Sequence, residues 1–211
     1  MPLFAHRRNM LRLATGAAAV ALVGTGLPVA SQPAVAERNS AVELIQRTVV
    51  QVLDLVMTKT GAAREAGILR VLETDFDLNY MARSSLGIHW NQASPEQRDR
   101  FLRAAASAEA HAYARRFGQY GGQTLTVDRA APMTRGDGVS IVNSKLSQAD
   151  AEPISIKWEV RNGGQGLRIV DVRIEGVSMV VTRRAEFNSF IQAHGGKVEP
   201  LINELEARTK R

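Results

Sequence analysis

The chain has 211 residues, with 27 basic and 21 acidic side chains and a net charge of +6. It contains no cysteine, which excludes disulfides, thiol catalysis and thiolate metal sites. Half of the excess charge rests on Arg7, Arg8 and Arg12, and no basic stripe interleaved with aromatics occurs, so no nucleic-acid partner is expected.

Residues 1–36 read as an export signal. Arg7-Arg8-Asn9-Met10-Leu11-Arg12 supplies positive charge, 13–27 a short apolar run rich in Ala and Gly, and Ala34-Val35-Ala36 a small-x-small cleavage site. The adjacent arginines resemble the twin-arginine motif, and an ordinary secretory signal fits as well. The remaining 37–211 is read as one domain.

From residue 40 the pattern is helical. Ser40 and Glu43 fit a capping box, followed by an apolar face of Val42, Ile45, Val49, Val52 and Val56 to about residue 58. Gly61 and Gly67 punctuate the next stretch, where Ile68, Leu69 and Leu72 suggest a short second helix. Asp77 reads as an N-cap for a helix ending at Gly87, with Phe76 and Met81 placed as a hydrophobic staple. Ser94-Pro95-Glu96-Gln97 starts the clearest helix, running to about residue 117. Seven alanines between 104 and 114 leave that helix little side-chain bulk, beside Phe101 and the stripe Tyr113, Phe117 and Tyr120.

After Gly121-Gly122 the period changes to two. Four strands are expected over 124–130, 139–147, 153–161 and 167–175, joined by short turns and therefore antiparallel. Ile154, Ile156, Trp158 and Val160 share one face of the third, and Val170, Val172 and Ile174 one face of the fourth. Asp171, Arg173 and Glu175 are expected on the wet side, and Gly176 at a bend. Helices over 182–193 and 197–208 close the chain. The expectation is therefore an α+β fold, a four-stranded antiparallel sheet wrapped by N- and C-terminal helices. An alanine-rich helix facing Trp, Ile and Val leaves room, so an apolar cavity is expected between them.

Chemistry for catalysis is sparse. Asp75 and Asp77 could be read as paired acids or metal ligands, but capping explains them better, because no histidine stands at ligand spacing. His89, His111 and His194 fall in three separate segments. Gly163-Gly164 and Gly166 lack the Lys-Ser/Thr of a phosphate loop and read as a hairpin turn.

The succession Phe76-Asp77-Leu78, Met81-Ala82-Arg83, Leu86-Gly87, Trp90, Ser94-Pro95-Glu96-Gln97-Arg98 and Phe101 resembles the MlaC, or toluene-tolerance, family of periplasmic lipid-binding proteins. Tyr113-Ala114, Phe117, Tyr120 and the run from Ile169 to Ser178 continue the resemblance. Arg183-Arg184-Ala185-Glu186-Phe187 is similar to the hopanoid-associated branch, HpnM. Ala105 and Ala108 stand where the family often carries bulkier residues, and Leu167 where a Trp is common.

The resemblance implies a twisted sheet in a cone like that of nuclear transport factor, no cofactor and no enzymatic activity. It implies a periplasmic carrier of a phospholipid or a hopanoid, working between an inner-membrane ABC transporter complex and an outer-membrane lipoprotein complex. On that reading Trp158, Val160, Val172 and Ile174 form the floor of the lipid site, and Tyr113 and Phe117 a wall. Ala105 and Ala108 leave space, Val177 and Met179 stand at the rim, and Met81 and Phe101 complete the set. Ala108→Phe is then expected to fold yet carry less lipid.

Overall fold

The computed structural model describes residues 33–117, 122–128, 133–134, 138–148, 151–164 and 166–210. The expected signal lies outside these residues as far as 32, and 33–36 open the first helix. The element order is α1 (Pro33–Thr58), α2 (Gly61–Asp75), α3 (Leu78–Leu86), α4 (His89–Gln92), α5 (Pro95–Phe117), β1 (Thr124–Val127), β2 (Met133–Thr134), β3 (Ser140–Ser147), β4 (Ile154–Asn162), β5 (Leu167–Ile174), β6 (Val177–Ser178), α6 (Met179–Ala193) and α7 (Glu199–Arg208).

The fold is α+β, and its helix ends follow local chemistry. Asp77 accepts the Tyr80 N–H at 2.9 Å and starts α3, which stops at Gly87 with φ of 59°. At the head of α5, the Gln97 N–H donates to Ser94 Oγ and the Ser94 N–H to Gln97 Oε1, both at 3.1 Å. This reciprocal pair satisfies two of the donors that a helix start leaves open. Ser94→Ala is expected to cost about 1 kcal/mol, read as a lower urea midpoint with unchanged slope. The box expected at Ser40 does not start α1: the helix begins at Pro33, a residue suited to a first turn, and runs through Ser40. Gly67 does not break α2 either. A β-carbon there would stand 2.3 Å from a Leu55 methyl, so the glycine lets α2 approach α1 closely.

The sheet has more strands than the four expected. Five antiparallel strands run in the order β1-β3-β4-β5-β6, and the two-residue β2 also pairs with β3. The added β6 arises because Glu175 and Gly176 both adopt positive φ, 48° and 81°, as a two-residue type I′ hairpin requires. The alternation expected along β5 is also broken. Trp158 pairs with Val172 and Glu159 with Asp171, but Val160 then pairs with Ile169, leaving Val170 as the extra residue of a bulge. Beyond the bulge the inward-facing residue in register with Val160 is Ile169, not Val170.

Two cores result. In the helical core, Phe101 meets Phe187 edge to face with centroids 5.6 Å apart, among Ile191, Leu201, Ile202 and Leu205. In the sheet core, Leu44, Ile45 and Val49 of α1 cover Val142, Val160 and Ile169. Arg100 clamps α7 to α5 through Glu199 at 2.5 Å and Glu206 at 3.0 Å. Such exposed pairs contribute little by themselves, and burial of the three α7 aliphatics holds the contact.

Candidate functional site

Between the two cores the side chains do not meet. On the sheet, Leu125, Leu146, Ile156, Trp158, Val172 and Ile174 form a continuous apolar floor across β1, β3, β4 and β5. The Trp158 indole N–H donates to Ser144 Oγ at 2.9 Å, so the only polar atom of that side chain is tied down in the sheet. Opposite the floor, α5 presents Leu102, Ala105, Ala106 and Tyr113. Two methyl-sized side chains in the middle of this face cannot reach across to the tryptophan.

The result is a cavity of about 540 Å³ with a largely apolar lining. Leu53, Leu72, Met81, Leu125, Trp158 and Val172 are only half-buried although they lie in the body of the fold and line the cavity. Protein interiors rarely contain voids larger than a water molecule. The hollow is partly open to its surroundings, and inside it the lining side chains lack the close-packed neighbours of an ordinary core. Water relieves little of this, because it needs two to four polar partners that these walls do not offer. The volume lies within the roughly 300–1,000 Å³ typical of ligand sites.

Polar groups stand at the boundary of the cavity. The Arg183 guanidinium grips Glu109, with Nε at 2.6 Å from one oxygen and the outer nitrogen at 3.0 Å from the other, and reaches Glu186 at 2.6 Å. Burial, the largest single effect, works against its charge, but the hydrogen bonds and negative charges of Glu109 and Glu186 together outweigh it and raise its pKa. The Tyr113 phenol is pushed up by burial and then by the Glu109 charge, so it stays protonated at neutral pH. Among the described residues no group of three or more His, Asp or Glu is placed to hold a metal ion.

The MlaC family model matches residues 44–207. The chain belongs to the MlaC family. Among solved structures, the chain is similar to a phospholipid-binding protein from Ralstonia solanacearum, solved in complex with a phospholipid. The TM-score is 0.65 at 20% identity, over 81% of this chain and 97% of that one, a likeness of fold.

In this MlaC-family chain, the structure brings Met81, Ala105, Tyr113, Trp158, Val172, Ile174 and Met179 together on the cavity wall. Four other expected residues lie elsewhere. Phe101 is fully buried behind the wall, in the helical core against Phe187. Ala108 points away from the cavity, into the same core and the edge of a second, shallower hollow. Val160 is fully buried beneath the floor, because the bulge pairs it with Ile169 under α1. Val177, on the two-residue β6, is 56% exposed and does not reach the lining. Phe117 ends α5, and its side chain falls outside those described, as does Tyr120.

The sequence reading missed half of the enclosure. Val49, Val52, Leu53 and Val56 of α1, Ile68, Val71 and Leu72 of α2, and Phe187 of α6 also line the cavity. The apolar stripe of α1 was visible as a period of 3.6, but periodicity does not tell a lining face from a packed one.

Asp171, expected in solvent, is 7% exposed, because the start of α6 folds over it. It accepts from Ser178 Oγ at 2.5 Å, the Val172 N–H at 2.8 Å and the Val180 N–H at 3.2 Å. Ser178 Oγ in turn accepts the Val181 N–H at 3.1 Å and caps α6. This network explains why α6 begins at Met179, three residues before the expected start, and it places Met179, Val180 and Arg183 at the cavity. Of the two acids first weighed as a pair, Asp77 caps α3, whereas Asp75 is buried with Thr48 Oγ1 at 2.6 Å.

Proposed function

We propose that this protein is a lipid carrier of the periplasm, holding the acyl chains of a phospholipid in the cavity between α5 and the sheet. The observation that carries the reading is the apolar hollow of about 540 Å³ in a chain of the MlaC family. The phospholipid bound to the similar Ralstonia solanacearum protein supports it. Residues 1–36 would serve as the export signal and be removed. No helix among the described residues is long and apolar enough to cross a membrane. The partners are an inner-membrane ABC transporter complex and an outer-membrane lipoprotein complex, between which the lipid is shuttled.

The physics of the task requires no chemical step. Each methylene moved from oil to water costs about 0.8 kcal/mol, so two bare acyl chains face a cost above roughly 20 kcal/mol. An apolar slot lowers that cost by receiving the chains before water does. Net affinity can stay modest, since the lipid passes from one oily environment to another. The groups that contact the chains are then Met81, Ala105, Tyr113, Trp158, Val172, Ile174 and Met179. Adaptable methionines suit a wall that meets chains of different length. The chain acts as a carrier and not as an enzyme.

The test is to purify the chain expressed with its signal, extract it with organic solvent and identify the extract by mass spectrometry. About one phospholipid per protein is expected, and delipidated protein should reload from phosphatidylethanolamine–phosphatidylglycerol vesicles. Protein that remains empty in both experiments overturns the carrier reading. A hopanoid in the extract would keep the carrier and change its cargo to that of the HpnM branch.

A further inference from the structure

The carrier reading names the tails, and a second feature bears on the head. A hollow of about 400 Å³ lies against another face of α5, beside Ala112, Arg115 and Arg208. It shares three residues with the oily cavity: Glu109, Arg116 and Arg183. All three are charged. The two spaces therefore meet along a short polar seam, one side apolar and the other lined by four arginines and a single carboxylate.

The arginines are not equivalent. Arg183 is held by Glu109 and Glu186, and Arg208 is held by Glu204 at 3.2 Å. Arg115 and Arg116 are exposed and have no carboxylate partner among the described residues. They follow one another at the last turn of α5, where the helix dipole favours positive charge. Arg116 lines both hollows and Arg115 the second one, so two exposed guanidinium groups without a carboxylate partner among the described residues stand at the seam. Guanidinium matches a phosphate in a planar, two-point fashion, and such charge-assisted bonds are about twice as strong as neutral ones.

We infer that Arg115 and Arg116, at the seam where the apolar cavity meets the arginine-lined hollow, form a subsite for the phosphate of a lipid head group. This rests on the proposed carrier function and narrows its cargo to lipids whose head group carries an anionic phosphate. A lipid of the same tails with a neutral hydroxyl head leaves both arginines without a counter-charge. Arg183 has a positioning role, since Glu109 and Glu186 hold it at the seam and leave little of its charge for the ligand.

The experiment offers delipidated full-length mature protein two lipids with the same chains, dioleoyl phosphatidylglycerol and dioleoylglycerol, each delivered from cyclodextrin. Bound lipid is counted by mass spectrometry. The wild type is expected to prefer the phosphatidylglycerol at least tenfold. The preference should fall to threefold or less in R115Q/R116Q, and between 50 and 500 mM salt. R115K/R116K, which keeps the charge, should retain a preference above threefold. Equal loading of the two lipids by the wild type overturns the subsite and leaves the carrier standing. An unchanged preference in R115Q/R116Q overturns it as well. Loading of neither lipid removes the carrier reading and the subsite together. Inorganic phosphate separates the two sources of the same chemistry: titrated alone into empty protein up to 10 mM, it should bind weakly or not at all. Saturation at lower concentration, abolished in R115Q/R116Q, would make this a free-anion site and overturn the head-group assignment.

Discussion

Ala105→Phe is expected to lower the lipid carried per protein at least fivefold while leaving the fold intact. Ala105 faces the cavity from the middle of α5, opposite a floor that includes Trp158 and Val172. A void of about 150 Å³ accommodates a benzene ring, so a phenyl group at this position takes roughly a quarter of the 540 Å³ available. It enters space that is already open, so no native side chain has to move. The urea midpoint should stay the same or rise, because filling a void restores dispersion contacts. Ala108→Phe makes the contrast. One turn further along α5, Ala108 is packed in the helical core with Phe101, Phe187 and Leu201. Apart from its edge on the second hollow that position is filled core, so the same ring presses on packed side chains and should destabilise the protein by about 1–3 kcal/mol. From the sequence both Ala105 and Ala108 were expected to leave space in the pocket, and the structure places only Ala105 on its wall. Unchanged lipid content in Ala105→Phe, measured by extraction and mass spectrometry, would mean that the cavity is not where the lipid resides.

Asp171→Ala is expected to carry the largest loss of stability among single polar substitutions, about 3 kcal/mol. The carboxylate is 7% exposed and takes bonds from Ser178, Val172 and Val180. Hydrogen bonds to a charged group contribute about 1.5–3 kcal/mol, and removing the acceptor leaves the Ser178 hydroxyl and the Val180 N–H without it. Arg173, 4.0 Å from Asp171, keeps a carboxylate partner in Glu159 at 2.6 Å, which limits the electrostatic share of the loss. For a domain of this size 3 kcal/mol corresponds to a fall in Tm of roughly 6–12 °C. Asp171→Asn, which preserves an acceptor oxygen, should lose about half as much. Ser178→Ala, which removes the cap and one of the three bonds to Asp171, should lose about 2 kcal/mol. The consequence reaches the site, because these bonds anchor the turn that sets Met179, Val180 and Arg183 against the cavity. A Tm unchanged in Asp171→Ala would show that α6 is held by its apolar contacts alone.

Much of this architecture is written in short stretches of chain. The Ser94–Gln97 box, the Asp77 cap and the Gly87 stop are formed by residues within a few positions of each other, so the local sequence specifies them directly. The four expected strands follow from alternation with period two, and the motifs from Phe76 to Ser178 were sufficient to point to the MlaC family. The shortage of bulk along α5 also points to a cavity from the sequence alone. The bulge at Val170 was not legible, because it depends on how β4 and β5 register and not on either strand by itself. For the same reason Val160 and Ile169 go under α1, while the alternation suggested Val170 for that face.

Sequence by itself determined the longer helices and the main strands, their order, the family and the lack of bulk at the centre of α5, because each depends on residues close together in the chain. Tertiary structure alone decided which face of α5 fronts the void, that α1 and α2 complete the enclosure, and that Asp171 is buried beneath α6. A cavity belongs to no segment: it is the space left where distant segments fail to touch, and its walls are known only when all of them are in place.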